Sequence, residues 1–460
     1  MKKIVFIFLY ILSICSIYAY KYSGTLPVLF INTENNQPIT SKDEYLNATF
    51  YIDRMNSYEF ENVGSIDNQL PLLIRGRGNF TWESFEKKPY KIKFNNKTSL
   101  LGMKKNKHFA LLAHADDRRG FLKNSVSFEI SKLLELDYTP AYQPVEVVLN
   151  NEYIGLYFLT ETVRVSKNRV NITEQSNFST DNIEGGWLVE LDNYRNSNQI
   201  VLPLSGTNLD FFQVTYHSPD SLSVEQENYL FNQFIRIKDG IYTDDKSSRE
   251  WEEFIDMESL AKFYIIAEVT DHLEAFLGSC FLYKDTDTKW KFGPVWDFGH
   301  AFNDWHEKNM FIYEGSTYFP HCIIEEIAKF PHFQECVKKI WKDFYPNKYN
   351  QLDTFIDSFT KKISSAALCD YERWPEYGNK DEENRKLFVK KIMNEKVEWL
   401  NTQWGEGIYN DISNNAFNDN IRKTVIYNLN GNISNGHKHG IYILISTDIN
   451  GNIIRRKVVQ

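Results

Sequence analysis

The segment from Glu268 to Asp304, EVTDHLEAFLGSCFLYKDTDTKWKFGPVWDFGHAFND, decides how the rest of the chain is read. Its start continues a helix-period run through Leu260, Phe263, Tyr264 and Ala267, because apolar residues three and four apart share one helix face. Cys280 to Lys284 and Lys289 to Trp296 then read as two strands joined by the polar turn Asp285-Thr-Asp-Thr288. Asp297 follows directly on the second strand, in Asp297-Phe298-Gly299. A carboxylate on a glycine-bearing turn at a strand end suits a divalent metal. It equally suits an Asp that caps the turn.

Composition sets the outer bounds. Of 460 residues, 42% are hydrophobic and 15% aromatic, enough for one large domain or two to three smaller ones and too apolar for a disordered chain. The formal charge of -9 argues against a general nucleic-acid binder and against docking on anionic lipid, both of which need a basic face. Lys2-Lys3, an apolar run from Ile4 to Ile17 and the small Ala19 form a secretory signal over residues 1–19, too short to be a spanning helix. The expected mature protein is exported to the cell surface or medium and has no transmembrane segment. A periplasmic protein, or a lipoprotein processed at Cys15, is the alternative. The later cysteines, Cys280, Cys322, Cys336 and Cys369, are too few and too scattered for a disulfide scaffold or a zinc site, although one disulfide among the last three stays open.

From Leu26 onward short strands dominate. Val145 to Leu149 and Tyr153 to Leu159 form a hairpin across Asn150-Asn151, a pair that tolerates positive φ. One helix interrupts them, with Leu122, Val126, Ile130, Leu133 and Leu134 on one face and Asp116-Asp117 ahead of its start. After Ser223 the pattern turns helical, and Met393, Val397, Leu400 and Trp404 make a stripe on the last long helix. The sequence therefore predicts an α+β protein: a β-rich lobe over about 26–218, mostly antiparallel sheet, then a helical lobe over about 219–404. A small strand-rich module follows over 410–460, with strands at 425–429, 440–446 and 453–459 separated by Asn-Gly turns.

Arg75-Gly-Arg77-Gly78 places two guanidinium groups in a turn where backbone N–H groups also reach anion oxygens. Solvated arginines on a surface turn are the plainer reading. In Lys87-Lys88-Pro89-Tyr90-Lys91-Ile92-Lys93-Phe94, strand alternation puts Lys91 and Lys93 on one face and Ile92 on the other.

Together RGRGNFTW, KKPYKIKF, LLGMKKNKHFALLAHADD, PVEVVLNNEYIGLYFLTETVRVSKNRVNI, GGWLVELDNY and GPVWDFGHAF resemble the CotH family of atypical, protein-kinase-like enzymes first met in spore coats, over about Leu26 to Trp404. The resemblance implies a two-lobed kinase-like fold binding Mg-ATP between the lobes and transferring phosphate to Ser or Thr of protein substrates. It places Lys93 on the α/β-phosphates, beside Arg75 and Arg77, with Glu129 or Glu161 orienting it, and it gives the metal to Asp297. The chain departs from the family pattern at Glu274, Ser279 and Gly299, where that pattern has Asp, Asn and Asp. Glu274 keeps a carboxylate for the catalytic role, Ser279 offers a metal oxygen, and Asp271, one helical turn before Glu274, is a substitute. The stretches VIYNLNGN and HGIYILISTDINGNIIRRKVV are similar to the C-terminal sorting module of type IX secretion. Two further readings remain: a catalytically inactive surface-binding module on the same fold, and another nucleotide-dependent transferase.

Overall fold

A computed structural model describes residues 21–115, 120–194, 196–203, 211–315, 323–378, 380–405, 421–428, 441–448 and 453–459. The leader, Asp116-Asp117 and Cys322 lie outside the described residues. The protein is mixed α and β, and it divides into two compact units. One comprises residues 1–123, 140–171 and 355–388, the other residues 124–139, 172–354 and 389–460.

The first unit is built on β1 (Val28–Thr33), β2 (Leu46–Asp53), β3 (Leu70–Gly76), β4 (Tyr90–Thr98), β5 (Asn106–Leu112), β6 (Tyr142–Leu149) and β7 (Glu152–Glu161), with the short α1 (Phe80–Ser84) between β3 and β4. The strands close into a barrel in the order β1-β2-β3-β4-β5-β7-β6. The expectation of a largely antiparallel layer holds for every pairing but one: β1 pairs with β6 in parallel, Val28 opposite Glu146. That contact turns an open sheet into a barrel, a closure the kinase-like expectation did not contain. Ile31, Phe50, Leu72, Ile74, Ile92, Phe109, Leu111, Val147 and Leu159 fill the interior, so the barrel is a packed core, not a channel. Burying each such side chain contributes roughly 1.5–3 kcal/mol. The predicted β6–β7 hairpin forms across Asn150 and Asn151, whose φ values of 51° and 66° are the left-handed pair a two-residue hairpin turn needs.

The second unit holds a five-stranded sheet, in the order β12-β11-β8-β10-β9. Its strands are β8 (Trp187–Leu191), β9 (Gln199–Pro203), β10 (Phe211–Ser218), β11 (Cys280–Lys284) and β12 (Lys291–Phe292). The strands from 187 to 218, expected with the β-rich lobe, instead share this sheet with the hairpin of the Glu268–Asp304 segment: Cys280 faces Leu191 across the β8–β11 ladder. The second strand of that hairpin is shorter than predicted. Trp290 gives its backbone groups to Phe254 and Asp256 rather than to β11, and Pro294 has no N–H to donate.

Further helices are α2 (Leu122–Leu133), α3 (Val224–Ile241), α4 (Met257–Val269), α5 (Ile323–Ile327), α6 (Pro331–Phe344), α7 (Gln351–Arg373) and α8 (Glu382–Trp404), of which α7 lies mainly in the first unit; α3 packs on β9 and α4 on β12. Helix α3 starts at a capping box: Ser223 Oγ accepts the Gln226 N–H and Gln226 Oε1 accepts the Ser223 N–H. Asp256 caps α4 through the Ser259 N–H at 2.8 Å. Met393, Val397, Leu400 and Trp404 are buried as the stripe required. Residues 421–428, 441–448 and 453–459 form a three-stranded antiparallel meander, β13 to β15. Among the described residues no helix is long and apolar enough to cross a membrane.

Candidate functional site

The RGRG turn ends β3. Gly78 adopts φ +80°, and a Cβ on Gly76 would strike the Trp82 ring, so both glycines are imposed by the turn. The turn and the β-ladder bring basic residues onto the outer face of the barrel. In register, Arg75 lies opposite Lys91 and Lys93 opposite His108. The Arg75 guanidinium and the Lys93 ammonium sit 5.0 and 5.9 Å from the Tyr45 ring centre.

Among the described residues the charges that bear most on Lys91 and His108 are cationic. Burial, then Arg75, Arg164, Arg77 and Lys93, push Lys91 down to about 8. Burial, then Arg164, Lys91, Lys93 and Arg169, push His108 down to about 3, so it is neutral at ordinary pH. Arg75 Nε and His108 Nδ1 are buried without a hydrogen-bond partner among the described residues. Like charges opposed on neighbouring strands destabilise a sheet. A bound anion would relieve that repulsion.

The two acids expected to orient Lys93 do other things. Glu161 lies opposite Phe109, whose side chain fills the barrel interior, so it stands on the other face of the sheet from Lys93. Its carboxylate accepts the Ala141 N–H and approaches Arg169 at 4.0 Å. Glu129 on α2 pairs with Lys132 at 3.1 Å, one turn along the same helix.

In the second unit, the Asp297-Phe298-Gly299 turn is fixed by its apolar member. Phe298 is buried against His272, 4.3 Å between ring centres, and its N–H donates to Asn124 Oδ1 at 2.9 Å. Asp297, at φ 56°, is left exposed beside it. Glu274 lies close by. Its Oε2 is 3.4 Å from His300 Nε2, and its Oε1 accepts from the Asn193 amide at 3.4 Å. Burial raises its pKa; His300 opposes that, and the Asp297 charge adds to the rise. Ser279 opens β11 in a left-handed conformation, φ 52°. Asp192, at the end of the GGWLVELDNY motif, is also raised, by burial and then by Glu190. Glu190 in turn holds His217 at 2.6 Å.

Among the described residues no three His, Cys, Asp or Glu side chains converge on a metal position. The oxygen donors present still fit Mg²⁺, which takes one or two carboxylates and fills its shell with water and phosphate oxygens. The mutual charge of Glu274 and Asp297 is what such a cation would neutralise.

Asp271 is placed differently. Its carboxylate is fully buried, bonded to His306 Nδ1 at 2.7 Å and Lys308 Nζ at 2.5 Å, with Lys396 Nζ at 3.5 Å. Lys396 also meets Glu268 at 2.9 Å and donates to the Met310 carbonyl. Burial raises the Asp271 pKa, but His306, Lys396 and Lys308 outweigh it and hold the group below the usual carboxylate value. With every neighbour a committed donor, Asp271 ties down the segment after Asp297 and is not placed to take a substrate proton.

Of the residues singled out from the sequence, Arg75, Arg77 and Lys93 gather at the barrel face and Glu274 lies by Asp297; their neighbours His108, Asn193, Glu190 and His217 were not singled out. The alternation of KKPYKIKF signalled Lys91 as well as Lys93; the pairing with Arg75 and His108 needed the fold. The CotH kinase protein family model matches residues 74–402. No curated protein matches the chain. Since that model covers most of its length, the chain belongs to the CotH kinase protein family.

Proposed function

We propose that this chain is a Mg-ATP-dependent phosphotransferase acting on Ser or Thr hydroxyls of surface or coat proteins, exported by the leader at residues 1–19. The observation that carries the reading is the gathering of Arg75, Lys91 and Lys93 on one face of the barrel of a family-matched chain. That face supports binding of nucleotide phosphates, by charge and by directed donors. In the second unit, Asp297 would hold Mg²⁺, with Ser279 as a neutral oxygen donor; an ion bound there would supply charge neutralisation. Glu274, whose proton affinity is raised, is the carboxylate suited to accept the acceptor hydroxyl proton as the new P–O bond forms and the bond to the nucleotide leaving oxygen breaks. Asp271 has no such role, because its lone pairs are taken.

The test is titration calorimetry of the mature chain with ATP and Mg²⁺, followed by mass spectrometry of phosphorylated Ser and Thr in envelope proteins. Mg²⁺-dependent binding that weakens in Asp297→Ala and in Lys93→Ala, together with product, supports the reading. Binding without product favours an inactive surface module, for which the buried, paired Asp271 is the specific argument. No nucleotide binding by the folded wild type overturns both nucleotide readings.

A further inference from the structure

The basic face of the barrel was assigned above through Lys93, yet the geometry singles out its neighbour. Lys91 is half-buried, as Lys93 is, but it is the one set across the ladder from Arg75. Among the described residues four cations bear on it: Arg75 and Arg77 from β3 and its turn, Lys93 from its own strand, Arg164 from the segment after β7. His108, from β5, faces the same group with a buried and unpartnered Nδ1. Lys93 by contrast already has the Tyr45 ring beside it.

We propose that this face is a polyphosphate-class anion site whose central contacts are Lys91 and His108, and that Lys91 takes up a proton as the anion binds. The proposal rests on reading the face as a phosphate site and goes beyond it in naming the contacts and the proton. In the empty site Lys91 is shared between its charged and neutral forms near pH 8, because burial and four like charges oppose its proton. A phosphate oxygen reverses that balance and favours the ammonium, so binding and protonation reinforce each other. His108 is neutral throughout and offers a hydrogen bond at the centre of the cluster without adding charge. The proton comes from solvent, and no bond to phosphorus is made or broken.

Inorganic tripolyphosphate without metal is the probe, titrated calorimetrically into the mature chain at pH 8 in buffers of different ionisation enthalpy, then from pH 7 to 10. The expected result is a buffer-dependent heat that reports proton uptake, with affinity falling above pH 8. Lys91→Met loses roughly tenfold or more in affinity together with the uptake. Lys91→Arg keeps the affinity to pH 10 with no uptake, and His108→Phe weakens binding at every pH. Thermal melts of the variants verify folding, which removal of a like charge does not harm. Buffer-independent heats in the wild type, or unchanged affinity in Lys91→Met, would overturn the inference. A parallel Mg-ATP arm separates the two claims. Uptake with tripolyphosphate but no transfer from ATP leaves this site standing and removes the phosphotransferase. Transfer that persists in Lys91→Met with unchanged affinity does the reverse.

Discussion

Around Asp271 two carboxylates, Asp271 and Glu268, meet two ammonium groups, Lys308 and Lys396, and the His306 ring, all within 2.5 to 3.5 Å. On the barrel face of the other unit Arg75, Lys91 and Lys93 gather, and the charges that bear most on Lys91 are all cationic. Both places withdraw charge from water. In the first the desolvation cost is returned by pairing, and the result is a fixed segment of chain after Asp297. In the second it is left outstanding, which a stable fold tolerates where a ligand completes the set. The difference separates charges that hold the protein together from charges that the proposed anion would complete. Proximity to a motif does not make that distinction: Asp271 lies three residues before Glu274, yet its carboxylate is held by His306, Lys308 and Lys396.

The largest effect expected from this contrast is at Asp271. Asp271→Ala leaves Lys396, which is fully buried, with one acid for its charge, and breaking a buried pair in this way costs about 3–5 kcal/mol. Denaturant unfolding should show that loss, and tripolyphosphate affinity at the barrel should stay unchanged. Because the Asp271 pKa is held down in the folded protein, the stability it contributes is present above the ordinary carboxylate value and is lost as pH falls through the folded value. A variant as stable as wild type would remove the structural reading.

A sharper form of the comparison lies within one strand and its approach. Lys87, buried at 1% exposure, donates to Asp370 at 2.6 Å and to the Leu156 carbonyl at 2.9 Å. Four residues on, Lys91 has no such partner. Lys87→Met should destabilise by a few kcal/mol, since Asp370 keeps only the Leu156 N–H among its described donors. Lys91→Met should stabilise the unliganded protein at pH 7 by about 1 kcal/mol, the scale of a relieved like-charge cross-strand pair. The folded pKa of Lys91 is depressed to about 8 from 10.5, so the native state bears the penalty below about 8 and sheds it as pH rises. The gap between wild type and Lys91→Met should therefore close between pH 8 and 10.5. Equal signs for the two lysine variants in parallel melts would erase the distinction.

Local chemistry was legible. Asn150-Asn151 announced its hairpin through the two left-handed residues it needs, and the apolar stripes of α2 and α8 were readable as buried faces. The glycines of RGRG predicted a turn that carries arginines. What the sequence did not disclose depends on residues far apart along the chain. No period in Val28–Thr33 announces a parallel partner at Glu146–Leu149, and nothing in GGWLVELDNY tells that β8 joins β11 rather than the barrel. Asp271 looked available for the same reason: the groups that occupy it, His306, Lys308 and Lys396, follow 35 or more residues later. Strand alternation placed Lys91 and Lys93 on one face but could not rank them, because the ranking comes from what stands opposite on β3 and β5.

The smallest effect expected concerns the acidic pair, where charge is unpaired as on the barrel but of the other sign. Burial raises the Glu274 pKa, and the exposed Asp297 adds to the rise across solvent that screens it. Asp297→Asn removes that contribution, so Glu274 should titrate lower in the variant, in a carboxyl-labelled NMR titration of the metal-free protein. A carboxyl whose folded pKa is raised contributes stability below its ordinary value and loses it as pH rises through the folded value. Asp297→Asn should accordingly be slightly more stable than wild type at neutral pH and indistinguishable from it in acid. A higher ionic strength should shrink the difference, because one partner is exposed. If Glu274 titrates identically in both proteins, the two carboxylates do not share a field, and a cation held at Asp297 would not bear on the proton that Glu274 is assigned to accept.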